Sequence, residues 1–308
     1  MEVINQPLVS VIVVTYNSSK FVLETLESVR KQTYSNIELI ITDDCSTDNT
    51  LEICECWIKE NSDSFVYTNI ITSKKNTGIP SNCNRGVKRS RGEWVKFIAA
   101  DDYLLERCID DNLFFIKENP EAKFVVSNLL EMNCSGVLIE KTNEINKGLL
   151  FYFSAKTFAS QLKAYIRWPE FLNSPTFFIN RDLLKEINYF DEDYRIYEDM
   201  PLIYRVNLKG YRLYYMDKKT VKYRVHINSI SRGSLKDNMR NKEILEIFEK
   251  YRKNKLNRFN LIDLSIYYEH WLTYYWKGIK GYKGQRILYK FSFFYWFSKY
   301  IVYKNNIA

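Results

Sequence analysis

The feature that most constrains this chain is an alternation in its first 130 residues. Short β-branched runs at 8–15 (LVSVIVVT), 37–43 (IELIITD), 66–72, 93–99 (EWVKFIA) and 123–128 are separated by stretches of helical period at 19–32, 48–60, 80–89 and 105–117. A run that is apolar at nearly every position, rather than every second one, fits a strand covered on both faces. In 19–32, Val22, Leu26 and Val29 fall on one helical face. Ser46 and Thr47 stand where the second helix needs a cap. Strands alternating with helices at this spacing predict an α/β fold: a Rossmann-like, mostly parallel sheet with flanking helices. Such sheets take ligands beyond the carboxyl ends of their strands. The positions to read for chemistry are therefore Tyr16 and Asn17 after the first strand, Asp43 and Asp44 after the second, and Asp101 and Asp102 after the fourth.

Further along, 131–168 is less regular. A short strand is expected at 173–179, helices at 181–187 and 198–208, and two strands at 211–216 and 219–224. From 236 the pattern is mostly helical. Charge separates the two parts. Residues 236–308 hold 15 Lys and Arg against 6 Asp and Glu, whereas 1–235 hold 30 against 31. Of the 49 aromatic residues, 17 lie between Phe259 and Tyr303. The expected organisation is a neutral body, 1–235, and a basic, aromatic helical extension, 236–308. With 46% hydrophobic and 27% charged residues the chain is neither disordered nor collagen-like. The first residues lack the pattern of a secretory signal, and no stretch of 18 residues is apolar without charge. The expectation is a cytoplasmic protein.

Several site classes lack their fingerprints. No G-x-G-x-x-G follows the first strand, and no G-x-x-x-x-G-K-S/T occurs. The six cysteines form no C-x-x-C pair and have no histidine near them, which speaks against zinc. What stands at the strand ends is acidic. Asp101 and Asp102 offer hard oxygens suited to Mg²⁺ or Mn²⁺ held together with substrate phosphates. Taken alone, the pair also reads as an acidic turn before a helix, and Asp44 as an ordinary turn residue.

The joint pattern is more specific. VSVIVVTYN at 9–17 is followed by LIITDDCSTD at 39–48, KNTG at 75–78, NRG at 84–86, GEWVKFIAADD at 92–102, FDE at 190–192, YED at 197–199 and KGY at 209–211. In order and spacing this resembles the family 2 glycosyltransferases of the GT-A fold, over roughly residues 7–232. The resemblance implies an inverting, metal-dependent transferase using a nucleotide-diphospho sugar, with UDP as the nucleotide. It implies a donor half at about 1–130 and an acceptor half at about 131–235. Thr15, Tyr16 and Asn17 would hold the base, and Asp44 would accept the uracil N–H. Lys75 and Asn84 fall in donor-side motifs. Asp101 and Asp102 match the D-x-D region that meets the ribose and the Mn²⁺ or Mg²⁺ ion. Asp199 matches the general base, with Glu198 beside it. His226 matches a metal-proximal histidine. Arg232 is placed to pair with phosphate.

Two departures stand out. Ala99 replaces the first Asp of D-x-D, and Cys83 replaces an Arg that often precedes the Asn of N-x-G; Lys75 or Arg85 is the candidate substitute for it. Trp168, Pro175 and Asp191 are candidate sugar-facing residues, with a core role as the alternative for Trp168. The implied acceptor is a glycan or lipid-linked glycan in capsule or lipopolysaccharide synthesis. The competing reading is a non-catalytic sugar-nucleotide binding or assembly protein, motivated by Ala99. A nucleotidyltransferase would need a Gly-rich basic loop after the first strand, and Tyr16-Asn17-Ser18 supplies neither. Residues 289–304, YKFSFFYWFSKYIVYK, read as an interfacial helix on the inner membrane face. Packing onto the body or a homodimer contact would explain the same aromatics. No nucleic-acid motif accompanies them.

Overall fold

The computed structural model describes residues 6–139, 147–169, 172–225 and 237–272, with positions 290, 292, 293, 295–297 and 300 further on. His226, Arg232 and most of 289–304 lie outside the described residues. In chain order the elements are β1 (Val9–Thr15), α1 (Val22–Arg30), β2 (Ile37–Asp43), α2 (Thr50–Asn61), β3 (Tyr67–Thr72), α3 (Ile79–Arg89), β4 (Trp94–Ala99), β5 (Tyr103–Leu104), α4 (Cys108–Glu118) and β6 (Phe124–Met132). Then follow α5 (Lys147–Ser154), α6 (Phe158–Arg167), β7 (Phe177–Asn180), α7 (Arg181–Glu186), α8 (Asp199–Leu208), β8 (Tyr214–Arg224), α9 (Asp237–Ile247) and α10 (Leu261–His270). They divide into two compact units, Met1–Asn143 with Phe171–Lys236, and Glu144–Glu170 with Asp237–Ala308.

The first unit is one sheet in the order β3-β2-β1-β4-β7-β6-β8-β5. β3, β2, β1 and β4 are parallel in register. Val11, Ile12, Val13, Leu39, Ile40 and Ile41 are fully buried, as strands covered on both faces require. β7 then enters antiparallel between β4 and β6, with Lys96 opposite Phe178. That pairing sets the start of β7, and the turn before it at 174–176, beside the carboxyl end of β4.

Two expectations are corrected here. The strands expected at 211–216 and 219–224 are one strand, β8. Its pairing with β6 skips from Met216 to Lys219, so the charged pair Asp217–Lys218 breaks the alternation without ending the strand. The irregular stretch 131–168 contains the two helices α5 and α6.

Close packing at two glycines positions the site. Gly78, at φ +95°, precedes α3, and a Cβ there would meet the Arg195 carbonyl oxygen at 2.7 Å. Gly86, within α3, lies against β1, where a Cβ would meet Ile12 Cγ2 at 2.5 Å. Gly86→Ala is expected to push α3 off the sheet and lower stability by about 1–3 kcal/mol, read as a reduced denaturant midpoint at constant slope.

In the second unit, Thr157 and Ser160 form a reciprocal capping box at the start of α6, and Asn260 caps α10. Arg167 pairs with the buried Asp263 at 2.7 Å. Arg252 closes the end of α6 through the Ile166 carbonyl at 2.8 Å. Trp168 meets Phe151 edge to face at 5.6 Å, the packing role named as its alternative.

Candidate active site

Sheet order brings the ends of β2, β1 and β4 side by side, because these three strands are neighbours. Backbone bonds fasten the loops that follow. Asp44 N donates to the Thr15 carbonyl at 3.1 Å, and Ala100 N to the Val14 carbonyl at 3.0 Å. Thr15 Oγ1 donates to Asp43 Oδ1 at 2.8 Å, so its hydroxyl is used inside the protein. Asn17 turns the chain at φ +49°. Its N–H donates to Ser46 Oγ, and its Oδ1 accepts from Thr47 N, both at 2.8 Å. Asn17 thus clips two loops together and leaves Tyr16, 48% exposed, on the rim.

Asp44 is buried and heavily engaged. Its carboxylate accepts from Thr77 N, from Thr77 Oγ1 at 2.7 Å, from Gly78 N at 2.8 Å and from Arg85 Nη2 at 2.6 Å. Burial pushes its pKa up, but the bonds from Thr77, Arg85 and Gly78 outweigh it and hold the group below the ordinary carboxylate range. Whatever it meets of a ligand, Asp44 also anchors the 77–78 loop. Of the two candidates to replace the missing Arg, Arg85 reaches Asp44. Lys75 is exposed, in a turn closed by Ser73 Oγ on its carbonyl. Cys83 is buried, and its thiol is pushed up by that burial.

Asn84 is buried too, with Nδ2 donating to the Phe190 carbonyl and Glu192 Oε1, and Oδ1 accepting from Phe190 N. It ties the FDE segment to α3. Ile79 N donates to the Arg195 carbonyl at 2.9 Å, and Arg195 Nη2 to Asn76 Oδ1 at 2.7 Å. Through these bonds the segment 190–199 is laid along the loop that anchors Asp44.

Asp199 opens α8 and is 8% exposed. Position at a helix start favours the charged form by about 0.3–1 kcal/mol. Burial outweighs that, and with the nearby Glu198 carboxylate it pushes Asp199 up to about 8. Glu198 is only half-buried and accepts from Ser174 Oγ at 2.6 Å. Ser174 sits in the turn before β7. The Pro175 carbonyl of that turn accepts from Lys96 Nζ at 2.6 Å, and the Thr176 carbonyl from Ser127 Oγ at 3.3 Å. Lys96 is fully buried in β4, and burial pulls its pKa down. Pro175 contributes its backbone here, and Asp191 Oδ1 accepts from Asp193 N at 3.2 Å.

Asp101 and Asp102 differ in setting. Asp101 is half-buried at the strand end. Asp102 is 1% exposed, with Oδ1 accepting from Arg224 N at 2.8 Å and Oδ2 buried without a hydrogen-bond partner. Burial, then the Asp101 charge, pushes Asp102 well above the usual carboxylate range. A buried carboxylate with an orphaned oxygen, next to a second carboxylate, fits a hard divalent cation that would relieve both. Among the described residues no group of three or more His, Cys, Asp or Glu could hold a metal. Substrate oxygens and water would complete the coordination.

Sequence reasoning passed over Ser174, Thr77, Lys96 and Arg224. Lys96 alone carried a visible signal, a lysine inside an otherwise apolar run.

A mixed sheet with acidic loops at its parallel strand ends and a buried acid opening a facing helix is the layout of a GT-A glycosyltransferase. Residues 10–188 match the glycosyl transferase family 2 model, and the chain belongs to that family. It is 30% identical over 217 residues to the poly(ribitol-phosphate) β-N-acetylglucosaminyltransferase TarS of Staphylococcus aureus, covering 70% of this chain and 35% of that one. It is 29% identical over 246 residues to the Escherichia coli UDP-Glc:α-D-GlcNAc-diphosphoundecaprenol β-1,3-glucosyltransferase WfaP, covering 78% and 86%. The chain thus spans about a third of TarS and most of WfaP. Among solved structures, TarS 1-349 in complex with UDP-GlcNAc superposes with a TM-score of 0.56 at 21% identity, covering 86% of this chain and 78% of that one. The Pyrobaculum calidifontis mannosyltransferase PcManGT, in complex with GDP-Man and Mn²⁺, gives 0.58 at 18% identity, covering 80% and 64%. At these identities the superpositions speak for the fold.

Proposed function

We propose that this enzyme transfers a sugar, with inversion, from a UDP-sugar to a hydroxyl of a glycan or lipid-linked glycan in bacterial surface polysaccharide synthesis. The observation that carries the reading is Asp199. It is a buried acid held near pKa 8, fastened to the donor-side loop through 190–195. A base poised near working pH suits removal of a proton from an attacking hydroxyl. The acceptor oxygen would attack the anomeric carbon as Asp199 takes its proton, and the nucleoside diphosphate would leave. Glu198, fixed by Ser174, keeps a second negative charge beside the base.

Tyr16, exposed on the rim, would cover the nucleobase, and the loop anchored by Asp44 would form the adjacent wall. Asp101, with the Oδ2 of Asp102, would hold Mn²⁺ or Mg²⁺, which when bound neutralises the diphosphate. His226 and Arg232 remain proposed neighbours of the diphosphate. The UDP reading is supported by WfaP, whose name specifies UDP-Glc, and by the UDP-GlcNAc bound to TarS. Among the described residues no helix is long and apolar enough to cross a membrane. The proposed contact of 289–304 with the inner membrane face is supported by the exposed Phe293, Trp296 and Tyr300.

A thermal-shift panel of UDP, GDP and CDP, each with and without Mn²⁺, tests the donor assignment. UDP at 100 times its Kd is expected to add about 2.7 kcal/mol of stability, and only with metal present. A metal-independent UDP shift without sugar transfer would favour the binding-protein reading that Ala99 motivates. No shift with any nucleotide would overturn the donor site.

A further inference from the structure

The second unit carries an apolar and basic face that the transfer chemistry does not use. Phe259, in the loop before α10, is 98% exposed. Leu261, Leu264 and Trp271 are exposed as well, and Tyr268 stacks on Trp271 at 6.3 Å. A spacing of three residues puts Leu261 and Leu264 on one side of α10, and Trp271 follows at its end. The opposite side is committed inward. Asp263 is buried against Arg167 at 2.7 Å, and Ser265 and Ile266 are buried. A soluble surface seldom leaves a phenylalanine bare at a loop tip and continues it along a helix with leucine and tryptophan.

The charges around this face are mostly basic. Between 250 and 271 the sequence has Lys250, Arg252, Lys253, Lys255 and Arg258 against two acids, Asp263, which is paired internally, and Glu269 near the end of the helix. Arg252 is buried, and Lys253 pairs with Glu249 at 2.6 Å. Lys255 and Arg258 are exposed on either side of Leu256 and Asn257, just before Phe259. Arg258 stands over the Tyr267 ring at 5.4 Å. Cations beside a bare aromatic and leucines match the interface of an anionic bilayer, where rings sit at headgroup depth and lysines meet phosphate.

We infer that the 253–271 face of the second unit is a membrane-docking surface, with Phe259, Leu261 and Leu264 entering the interface of an anionic bilayer and Lys255 and Arg258 facing its headgroups. This extends the membrane contact proposed for 289–304 to a separate, structured element. It would hold the enzyme where a lipid-linked acceptor is presented.

Co-sedimentation of the full-length chain with phosphatidylcholine vesicles, with and without 30% phosphatidylglycerol, tests the assignment. Binding is expected only with the anionic lipid and is expected to weaken as salt rises. The double substitution F259S/L264D is expected to cut the bound fraction at least tenfold, and K255E/R258E to abolish the gain in binding that the anionic lipid gives the wild type. Both pairs are exposed, so an unchanged thermal midpoint accompanies these results. Full vesicle binding by F259S/L264D would assign the contact to another segment and overturn the inference. So would a protein that binds no vesicle, or one whose concentration-dependent dimer in light scattering is abolished by the same substitutions. Donor hydrolysis and transfer to a soluble acceptor, measured without vesicles, are expected to survive both variants. Loss of membrane docking and loss of the transfer reading are thereby told apart.

Discussion

Asp199→Asn is expected to lower sugar transfer by about 10²–10⁴-fold, the usual worth of a positioned general base, with the donor KM little changed. The same substitution is expected to make the protein more stable at neutral and alkaline pH. In the folded chain burial and Glu198 push this carboxyl up to about 8, against an ordinary value of 3.8. A group whose folded pKa is raised contributes stability that is fully present below its unfolded value. That stability is lost as pH rises through the folded one. The wild-type chain therefore loses ground between about pH 4 and about pH 8, and asparagine, which does not titrate, removes that loss. Thermal midpoints measured across this range are expected to diverge in favour of the variant up to about pH 8 and run parallel above it. Transfer by the wild type is expected to rise through the same pH, since only the carboxylate accepts a proton. A variant that is inactive but no more stable at pH 8.5 would mean that Asp199 is ionised in the resting enzyme. Retained transfer would remove Asp199 from the mechanism.

The position of Asp199 also shows what the sequence could disclose. The parallel half of the sheet was legible because LVSVIVVT and IELIITD are apolar without alternation, which only a doubly covered strand tolerates. The acids at the strand ends followed from topology, and Asp199 from its motif. The antiparallel entry of β7 was not legible. FFIN is four residues long, and nothing in so short a run states which way it pairs or with whom. β8 was read as two strands because Asp217 and Lys218 interrupt its pattern, although the ladder absorbs them as a register skip. The protein bonds of Asn84 and Asp44 were not legible for a related reason. A polar residue in a motif has the same letter whether it meets substrate or a backbone amide from a distant segment, and both side chains meet protein. Ser174 and Glu198 meet across 24 positions, and only the antiparallel pairing of β4 with β7 brings their turn to the site.

Arg224→Met is expected to be damaging although it touches neither of the proposed catalytic acids. Arg224 is 1% exposed, and its guanidinium reaches three partners: the Asp101 carbonyl at 2.8 Å, the Cys134 carbonyl at 3.1 Å and Glu24 Oε2 at 2.6 Å. Its charge also lies over the Phe21 ring at 4.3 Å. Glu24 is more than half exposed and would rehydrate at little cost. The two carbonyls lie at half-buried Asp101 and exposed Cys134, so each would lose its donor but could partly rehydrate, at roughly 1 kcal/mol each. Methionine keeps much of the stem's volume and repays part of this by removing a buried charge. A net loss of about 2 kcal/mol is expected, on the order of 4–8 °C in Tm for a domain of this size. The second effect is local. The Arg224 N–H to Asp102 would survive, but the backbone of Asp101 would lose the contact that fixes it at the end of β4. The Mn²⁺-dependent part of the UDP shift is therefore expected to shrink by tenfold or more in apparent metal affinity. Asp101→Asn makes the comparison decisive, because it should abolish that metal dependence with little change in Tm. If Arg224→Met lowers Tm yet leaves the metal response whole, the Asp101–Asp102 turn is held by its bonds to α1, β1 and the β8 backbone. The Thr25 hydroxyl on the Asp102 carbonyl would then be its principal tether.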